Sequence, residues 1–300
     1  MSKTVQEALS WAIAKLEAPE LDETELDGKE LDVSSSKIDS SKLDAELLLA
    51  DTLGKNRTWL KTWPEKELSQ QELDSFEAFI MRRKAGEPVA YLLGKQDFWT
   101  FTLKVTPATL IPRPETEHLV EFALSNIPTS ESFQVIDLGT GTGAIALAIA
   151  SERPQATVIG LDISEQALSV AEHNRQQLNI SNVDFQQGHW LRTWPDQKLD
   201  MIVSNPPYID ADDEHLKDLT FEPVGALVAG DNGLADIVEI TEQAQQHLKP
   251  SGWLIFEHGF EQGRAVRDIM QQHGFTDVKT LADYAGLERV TAGRKTPEQG

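Results

Sequence analysis

Cysteine is absent from the 300-residue sequence, which excludes disulfides, thiolate metal sites and a cysteine nucleophile. Long apolar runs are missing too: no window approaches the roughly 18 uninterrupted apolar residues that a membrane-crossing helix needs. No membrane association is expected. The opening Met1-Ser-Lys-Thr-Val-Gln-Glu7 lacks the apolar segment of a secretory leader, so the expected location is cytoplasmic. Basic residues are scarce, with 27 Lys and Arg against 49 Asp and Glu, a net charge of −22. Duplex-DNA binders neutralise phosphates with Lys and Arg, so duplex DNA is not an expected partner. A basic partner suits the charge better, and the same acidity also serves solubility or salt tolerance. The seven histidines fall at no metal-ligand spacing; His189, His215, His258 and His273 are read as surface or structural groups, and no metal is expected. A Gly-x-Ser-x-Gly nucleophile elbow is lacking as well.

What remains is a soluble balance of 40% apolar and 7% aromatic residues, enough for one large or two ordinary domains. Residues 4–16 place Val5, Leu9, Ala12, Ile13 and Leu16 at helical spacing, and Thr4 with Glu7 makes a capping-box pattern. Residues 17–32 carry eight carboxylates against one lysine, and Ser34, Ser35, Ser36, Ser40 and Ser41 continue the polar character. The stretch 17–41 reads as a flexible acidic insertion. Helices are predicted over 43–53, stopped by Gly54, and over 69–86, followed by the breaker Glu87-Pro88. Trp59, Leu60 and Trp63 are expected in the core between them. Residues 1–86 therefore read as a small helical domain.

Residues 87–112 change character. The run Phe98-Trp-Thr-Phe-Thr-Leu-Lys-Val105 alternates in polarity and points to a strand pair, a β-hairpin linker between two domains. From 113 to 300, strands at 134–138, 157–161, 183–186, 201–204 and 253–257 alternate with helices at 144–152, 165–178, 233–248 and 261–273. Such alternation means an α/β fold, a parallel sheet covered by helices on both faces. Residues 277–280 and 288–292 close it as an antiparallel pair around Gly286. Arg113 stands just before a helix opened by Pro114, where a structural ion pair and a ligand contact are both open.

Two loops carry the chemistry. The first, Asp137-Leu-Gly-Thr-Gly-Thr-Gly143, lies between a strand and its helix, where glycines let the backbone approach a ligand closely. A dinucleotide-binding fold would use the same glycines, with Asp162 taking the ribose hydroxyls. The second is Asp200-Met-Ile-Val-Ser-Asn-Pro-Pro-Tyr208, a buried strand ending at Asn205, with Pro206 and Pro207 stiffening the loop up to Tyr208. Asp137, the glycines, Asp162 and this loop together resemble class I S-adenosylmethionine-dependent methyltransferases that modify planar nitrogens. The lone pair of an amide or exocyclic amino nitrogen is delocalised, so such an enzyme must localise it while aiming it at the methyl group. The Asn205 side-chain oxygen and the Pro206 carbonyl would accept from its N–H groups, more strongly as positive charge develops there. Tyr208 would pack on the flat face of the group. A methylated, protonated amide loses its proton readily, so no strong general base is required.

The resemblance becomes specific along the chain. Gly86-Glu-Pro-Val-Ala-Tyr-Leu-Leu-Gly94, Asp97-Phe-Trp99, Thr109-Leu-Ile-Pro-Arg-Pro-Glu-Thr-Glu117, residues 137–148, Asn205 to Tyr208, Phe221-Glu-Pro223 and Glu288-Arg-Val290 resemble the HemK/PrmC family. These are the glutamine-N5 methyltransferases of class 1 peptide chain release factors, and the likeness covers about residues 43–292. It implies a class I methyltransferase fold, Rossmann-like, with a mostly parallel seven-stranded sheet whose last strand is antiparallel. It also implies a helical amino-terminal domain that helps hold the release factor, a hairpin linker over 87–112 and a catalytic domain over 113–300. S-adenosylmethionine would be the cofactor, S-adenosylhomocysteine the product, and the glutamine of a Gly-Gly-Gln loop the substrate. By position, Asp137, Gly139, Thr140, Gly141, Thr142, Gly143, Asp162, Trp190 and Asn205 would contact the cofactor. Asn205, Pro206, Pro207 and Tyr208 would hold the glutamine, with Asn205, Pro206 and Tyr208 catalytic and Phe98 walling the pocket. The family pattern is departed from at the long acidic stretch 17–41 and at the short lead-in Lys217-Asp-Leu-Thr220.

Rival readings share some of these features. A ribosomal-protein glutamine methyltransferase has the Asn-Pro-Pro-Tyr loop but tends to read Arg-Ser-Pro where this chain has Arg113-Pro114-Glu115. A DNA adenine methyltransferase would want a basic surface. A nicotinamide-dependent dehydrogenase explains the glycines and Asp162 yet leaves Asn205 to Tyr208 idle. Nothing in the site is broken in the way a non-catalytic cofactor-binding module would require.

Overall fold

The computed structural model describes residues 3–18 and 36–297. The chain divides into two compact units, Met1–Gly94 and Lys95–Gly300. In the first, α1 (Val5–Glu17) opens on the expected capping box: the Glu7 N–H donates to the Thr4 hydroxyl at 3.2 Å, and the Thr4 N–H donates to the Glu7 carboxylate at 2.8 Å. It is followed by α2 (Ser36–Thr52), α3 (Arg57–Thr62), α4 (Gln70–Lys84) and α5 (Val89–Leu93). Val5, Leu48, Leu49, Phe76 and Ile80 form the centre of their shared core.

Three expectations for this unit are revised. Most of the acidic stretch lies outside the described residues, but residues 36–41, read as linker, are the first turns of α2. Trp63 is 57% exposed, so of the three residues placed in the core only Leu60 is fully enclosed. Residues 89–93, assigned to the start of the β-rich segment, form a single helical turn that Pro88 opens and Gly94, at φ 67°, ends.

The second unit begins with a hairpin of β1 (Lys95–Phe98) and β2 (Phe101–Lys104). The turn of this strand pair falls at Trp99 and Thr100, inside the run 98–105. Trp99 sits at φ 57°, and its N–H donates to the Glu117 carboxylate at 2.8 Å, a side-chain anchor that alternation of polarity does not reveal. A 3₁₀ turn, Pro114–Thr116, leads into α6 (Glu117–Asn126). Then come β3 (Phe133–Leu138), α7 (Ala144–Glu152), β4 (Ala156–Asp162), α8 (Glu165–Leu178), β5 (Val183–Gln187), β6 (Leu199–Ser204), α9 (Ala235–His247), β7 (Leu248–Glu257), α10 (Gly263–Gln272), β8 (Phe275–Ala282) and β9 (Glu288–Lys295).

The sheet order is β5-β4-β3-β6-β7-β9-β8, with β9 antiparallel to both neighbours and the other pairs parallel. Alternation along each strand feeds two cores. Val135, Val158, Val203 and Ile255 pack towards α6 and α7, while Ile136, Ile202, Leu254 and Phe256 pack towards α9 and α10. From the central β3 the chain steps outward to β4 and β5, then returns to β6 on the other side. That reversal opens a crevice between β3 and β6 at the carboxyl ends of the strands, the usual ligand position in open α/β sheets. No helix of the described residues is long and apolar enough to cross a membrane.

Candidate active site

Strand register brings the two loops together. Leu138 pairs with Leu161 on one side and with Ser204 on the other, and Ser204 pairs with Phe256. The next residue on each strand, in sheet order Asp162, Gly139, Asn205 and Glu257, therefore forms a row across one sheet edge. The Ser204 hydroxyl donates to the Leu138 carbonyl at 2.8 Å and ties the two central strands directly beneath the loops. A cavity of about 530 Å³ opens over this row, lined among others by Thr116, Gly139, Thr140, Gly141, Thr142, Asp162, Trp190, Asn205 and Pro207.

The glycine loop is folded back on β4: the N–H groups of Gly139 and Thr140 both donate to the Leu161 carbonyl at 2.9 Å. Asp162 accepts from the Gly141 N–H and the Ser164 N–H, each at 2.9 Å. Burial raises its carboxyl above the ordinary range, and these N–H groups hold it down. Asp137 lies one layer deeper, fully enclosed. The Thr140 hydroxyl donates to its Oδ2 at 2.6 Å, while its buried Oδ1 has no hydrogen-bond partner among the described residues. Burial pushes the Asp137 carboxyl up to about 7, against the hydrogen bond from Thr140.

Trp190 follows β5 and reaches the cavity at φ 50°, a left-handed backbone that an L residue adopts at a cost of about 1–2 kcal/mol. Its ring edge stands 3.4 Å from where a Gly139 Cβ would be, so the indole covers the first glycine of the loop. Trp190 also packs on the apolar core beneath, so the pocket and core readings both hold. Asp236, in the first turn of α9, lines the same end of the cavity; burial raises its carboxyl, and the Trp190 indole beside it opposes the rise.

Behind β6 the proline loop is pinned from several directions. The Asn205 Nδ2 lies 3.4 Å from the Thr116 hydroxyl. Pro206 is buried, and the Tyr208 phenol is pushed up to about 12 by burial and by the nearby Glu257 carboxylate. The Tyr208 carbonyl accepts from the Gln262 Nε2 at 3.0 Å. Gly233, at φ 80°, packs so close that a Cβ there would stand 2.0 Å from the same carbonyl oxygen. Arg113 pairs with the buried Glu222, whose other oxygen accepts from the Ile111 N–H at 3.0 Å, so its structural role is met while it also borders the cavity.

Of the residues singled out from sequence, Gly139 to Thr142, Asp162, Trp190, Asn205 and Pro207 line one cavity; Gly143, Pro206 and Tyr208 are their neighbours along the chain, and Asp137 accepts from Thr140. Phe98 does not join them. Only 2% exposed, it packs with Leu103 and Leu119 in the apolar core, because β1 turns its last side chain inward rather than towards the crevice. Thr116, Glu222, Asp236, Glu257 and Gln262 went unrecognised, although Thr116 and Glu222 stand inside the motifs that carry the family resemblance. Glu257 left one signal, a carboxylate closing the apolar run Trp253-Leu-Ile-Phe256. Among the described residues no group of three or more His, Asp or Glu side chains is arranged to hold a metal ion.

Comparison with known proteins agrees with this geometry. A family model described as a methyltransferase domain matches residues 129–285, and one described as the PrmC N-terminal domain matches residues 32–94. The release factor glutamine methyltransferase of Aliivibrio fischeri is 51% identical over 251 residues, covering 83% of this chain and 88% of the relative. That of Escherichia coli is 48% identical over 250 residues, covering 83% and 90%. A methyltransferase structure from Pyrococcus furiosus shares the fold, with a TM-score of 0.51 at 20% identity over 73% of this chain and 98% of its own. On the strength of these relatives and of the paired loops at the sheet edge, the chain belongs to the release factor glutamine methyltransferase family, class I enzymes whose methyl donor is S-adenosylmethionine.

Proposed function

We propose that this protein transfers a methyl group from S-adenosylmethionine to the side-chain amide nitrogen of the glutamine in the Gly-Gly-Gln loop of class 1 peptide chain release factors. The observation that carries the reading is the register that seats Asn205 beside Gly139 at the rim of one cavity. The cavity's chemistry fits the cofactor. Asp162, its oxygens fixed by two backbone N–H groups, suits ribose hydroxyls, and the orphaned Oδ1 of Asp137 beneath the loop suits the cationic amino-acid end. Gly139 to Gly143, Trp190 and Asn205 complete that set. When bound, S-adenosylmethionine supplies an electrophilic methyl group.

The chain's own residues do the rest. The Asn205 Oδ1 and the Pro206 carbonyl accept from the two N–H bonds of the glutamine amide, which localises the nitrogen lone pair along the line of attack. Both acceptors are fixed before substrate arrives, the first by Thr116 and the sheet edge, the second by the proline pair, so their alignment costs little reorganisation. Tyr208, held through its carbonyl by Gln262, flanks the flat amide and keeps it in plane. The helical unit Met1–Gly94 serves as a recognition domain for the factor, and the reaction belongs to the cytoplasm, where translation ends. A competition assay with labelled methyl donor tests the reading: the label should enter the release factor, in preference to a ribosomal protein or duplex DNA offered at equal concentration. Label in either competitor with none in the factor overturns it.

A further inference from the structure

Glu257 is a carboxylate at the closed end of a buried strand, and the acceptor pair that holds the glutamine does not include it. It terminates β7, is 2% exposed, and stands next to Asn205 because Phe256 pairs with Ser204. No hydrogen bond of ordinary geometry reaches its buried Oε2 among the described residues. A buried carboxylate oxygen without a hydrogen-bond partner is unfavourable, and in a native protein it calls for a reason. Burial lifts its carboxyl to about 7. The Thr116 hydroxyl, Arg289 and the Asn205 amide are close enough to favour the charged form, and Glu115 opposes them.

The reason lies in the two-sidedness of an asparagine amide. To offer Oδ1 to a substrate N–H, Asn205 must direct Nδ2 the other way, into acceptors. Thr116 receives Nδ2 at 3.4 Å, but a hydroxyl both donates and accepts and would serve either end of the amide equally well. A carboxylate only accepts. A Thr116 hydroxyl that donates to Glu257 leaves its own lone pairs for Nδ2, and so leaves Oδ1 for the cavity. We propose that Glu257, acting through Thr116, is a positioning residue that sets the polarity of the Asn205 amide for glutamine methylation. The inference rests on Asn205 being the acceptor for the substrate amide.

The test is steady-state methylation of a release factor by the full chain, at saturating S-adenosylmethionine so that Asp137 stays ionised throughout. Glu257→Gln keeps the shape but offers a donor as well as an acceptor, so kcat should fall by about 10–100-fold, the usual effect of a misaligned reacting group. KM for the factor and cofactor affinity by calorimetry should stay within about 2-fold. Glu257→Asp and Thr116→Ser, which keep the acceptor and the hydroxyl, should recover most of the rate lost in Glu257→Gln and Thr116→Val. In the parent, kcat should fall as the pH drops below about 7, where Glu257 gains a proton, and Glu257→Gln should lose that limb. The groups facing Glu257 are Arg289 from β9, Glu115 from the 3₁₀ turn and Tyr208 from the loop, with His258 next on the chain; of these, Tyr208 titrates far above this range. Unchanged kcat and an unchanged acid limb in Glu257→Gln would overturn the inference. So would a rate loss matched by equal loss of cofactor binding, which marks a merely structural acid. If Glu257→Gln does not fold, Thr116→Ser against Thr116→Val and the parent's pH profile decide the matter in the same way. A parent that leaves the factor unmethylated overturns the functional reading itself, a result distinct from a parent that works beside an equally active Glu257→Gln.

Discussion

Asn205 enters the cavity from the end of β6, whereas the glycine loop and Asp162 enter it from β3 and β4. In the proposed reaction, removing the Asn205 side chain strips an acceptor from the substrate and leaves the glycine loop and Asp162 in place. In Asn205→Ala we expect turnover to fall by at least about 100-fold, as when a preorganised polar group is deleted, with cofactor affinity by calorimetry within a few fold. Equal loss of both would make Asn205 chiefly a cofactor anchor. Asp137 gives a second, pH-dependent handle. In the free protein its carboxyl sits near 7, and a cationic partner at Oδ1 favours the ionised form. Cofactor affinity should then rise as the pH goes from about 5.5 to 7 and level off above, once Asp137 is ionised before binding. The sign is opposite for the fold alone. The unfolded chain ionises Asp137 first, so this residue's contribution to stability declines between the ordinary carboxylate range and about 7. Asp137→Asn should therefore flatten the affinity profile and melt higher than the parent at pH 8; an affinity profile that still rises in the variant would contradict this role.

At the level of elements, the proline loop is held by what stands behind it. Gly233 and Gln262 meet the Tyr208 carbonyl from two directions, and neither touches the reacting centre. Gly233→Ala places a methyl group 2.0 Å from that oxygen and forces a positive φ on a residue with a side chain, so the loop must move. We expect kcat to drop sharply, thermal stability to fall by about 1–3 kcal/mol and cofactor affinity to hold. Normal turnover in a folded Gly233→Ala protein would show that the loop does not depend on this support. The central strands β3, β4, β6 and β7 were legible in the sequence because each carries an apolar run, and α7 and α8 because they follow β3 and β4 at short range. The hairpin was legible too, but not the position of its turn at Trp99 and Thr100, where the Trp99 N–H is anchored on Glu117 from another element. The same distinction holds in the site. The glycine loop and the Asn-Pro-Pro-Tyr loop announce themselves by local residue chemistry, whereas Thr116, Glu257 and Gln262 act only through strand register and turn packing. Phe98 failed as a pocket residue for that reason: a motif gives its position in the chain, not the face it turns to.

For the whole molecule, charge and division into units bear on the substrate. A chain of net charge −22 repels a polyanion, so the duplex-DNA methyltransferases that share the proline loop are disfavoured by long-range electrostatics before any contact is made. The unit Lys95–Gly300 holds the cavity at its own sheet edge, and Met1–Gly94 has a separate core. A protein glutamine is the planar nitrogen that the family's members take. The most direct measurement is tandem mass spectrometry of a class 1 release factor incubated with the full-length protein and S-adenosylmethionine. We expect a single added methyl on the side-chain amide of the Gly-Gly-Gln glutamine, absent when Asn205→Ala replaces the parent. A factor that remains unmodified, while a ribosomal protein or duplex DNA gains the methyl, would contradict the assignment.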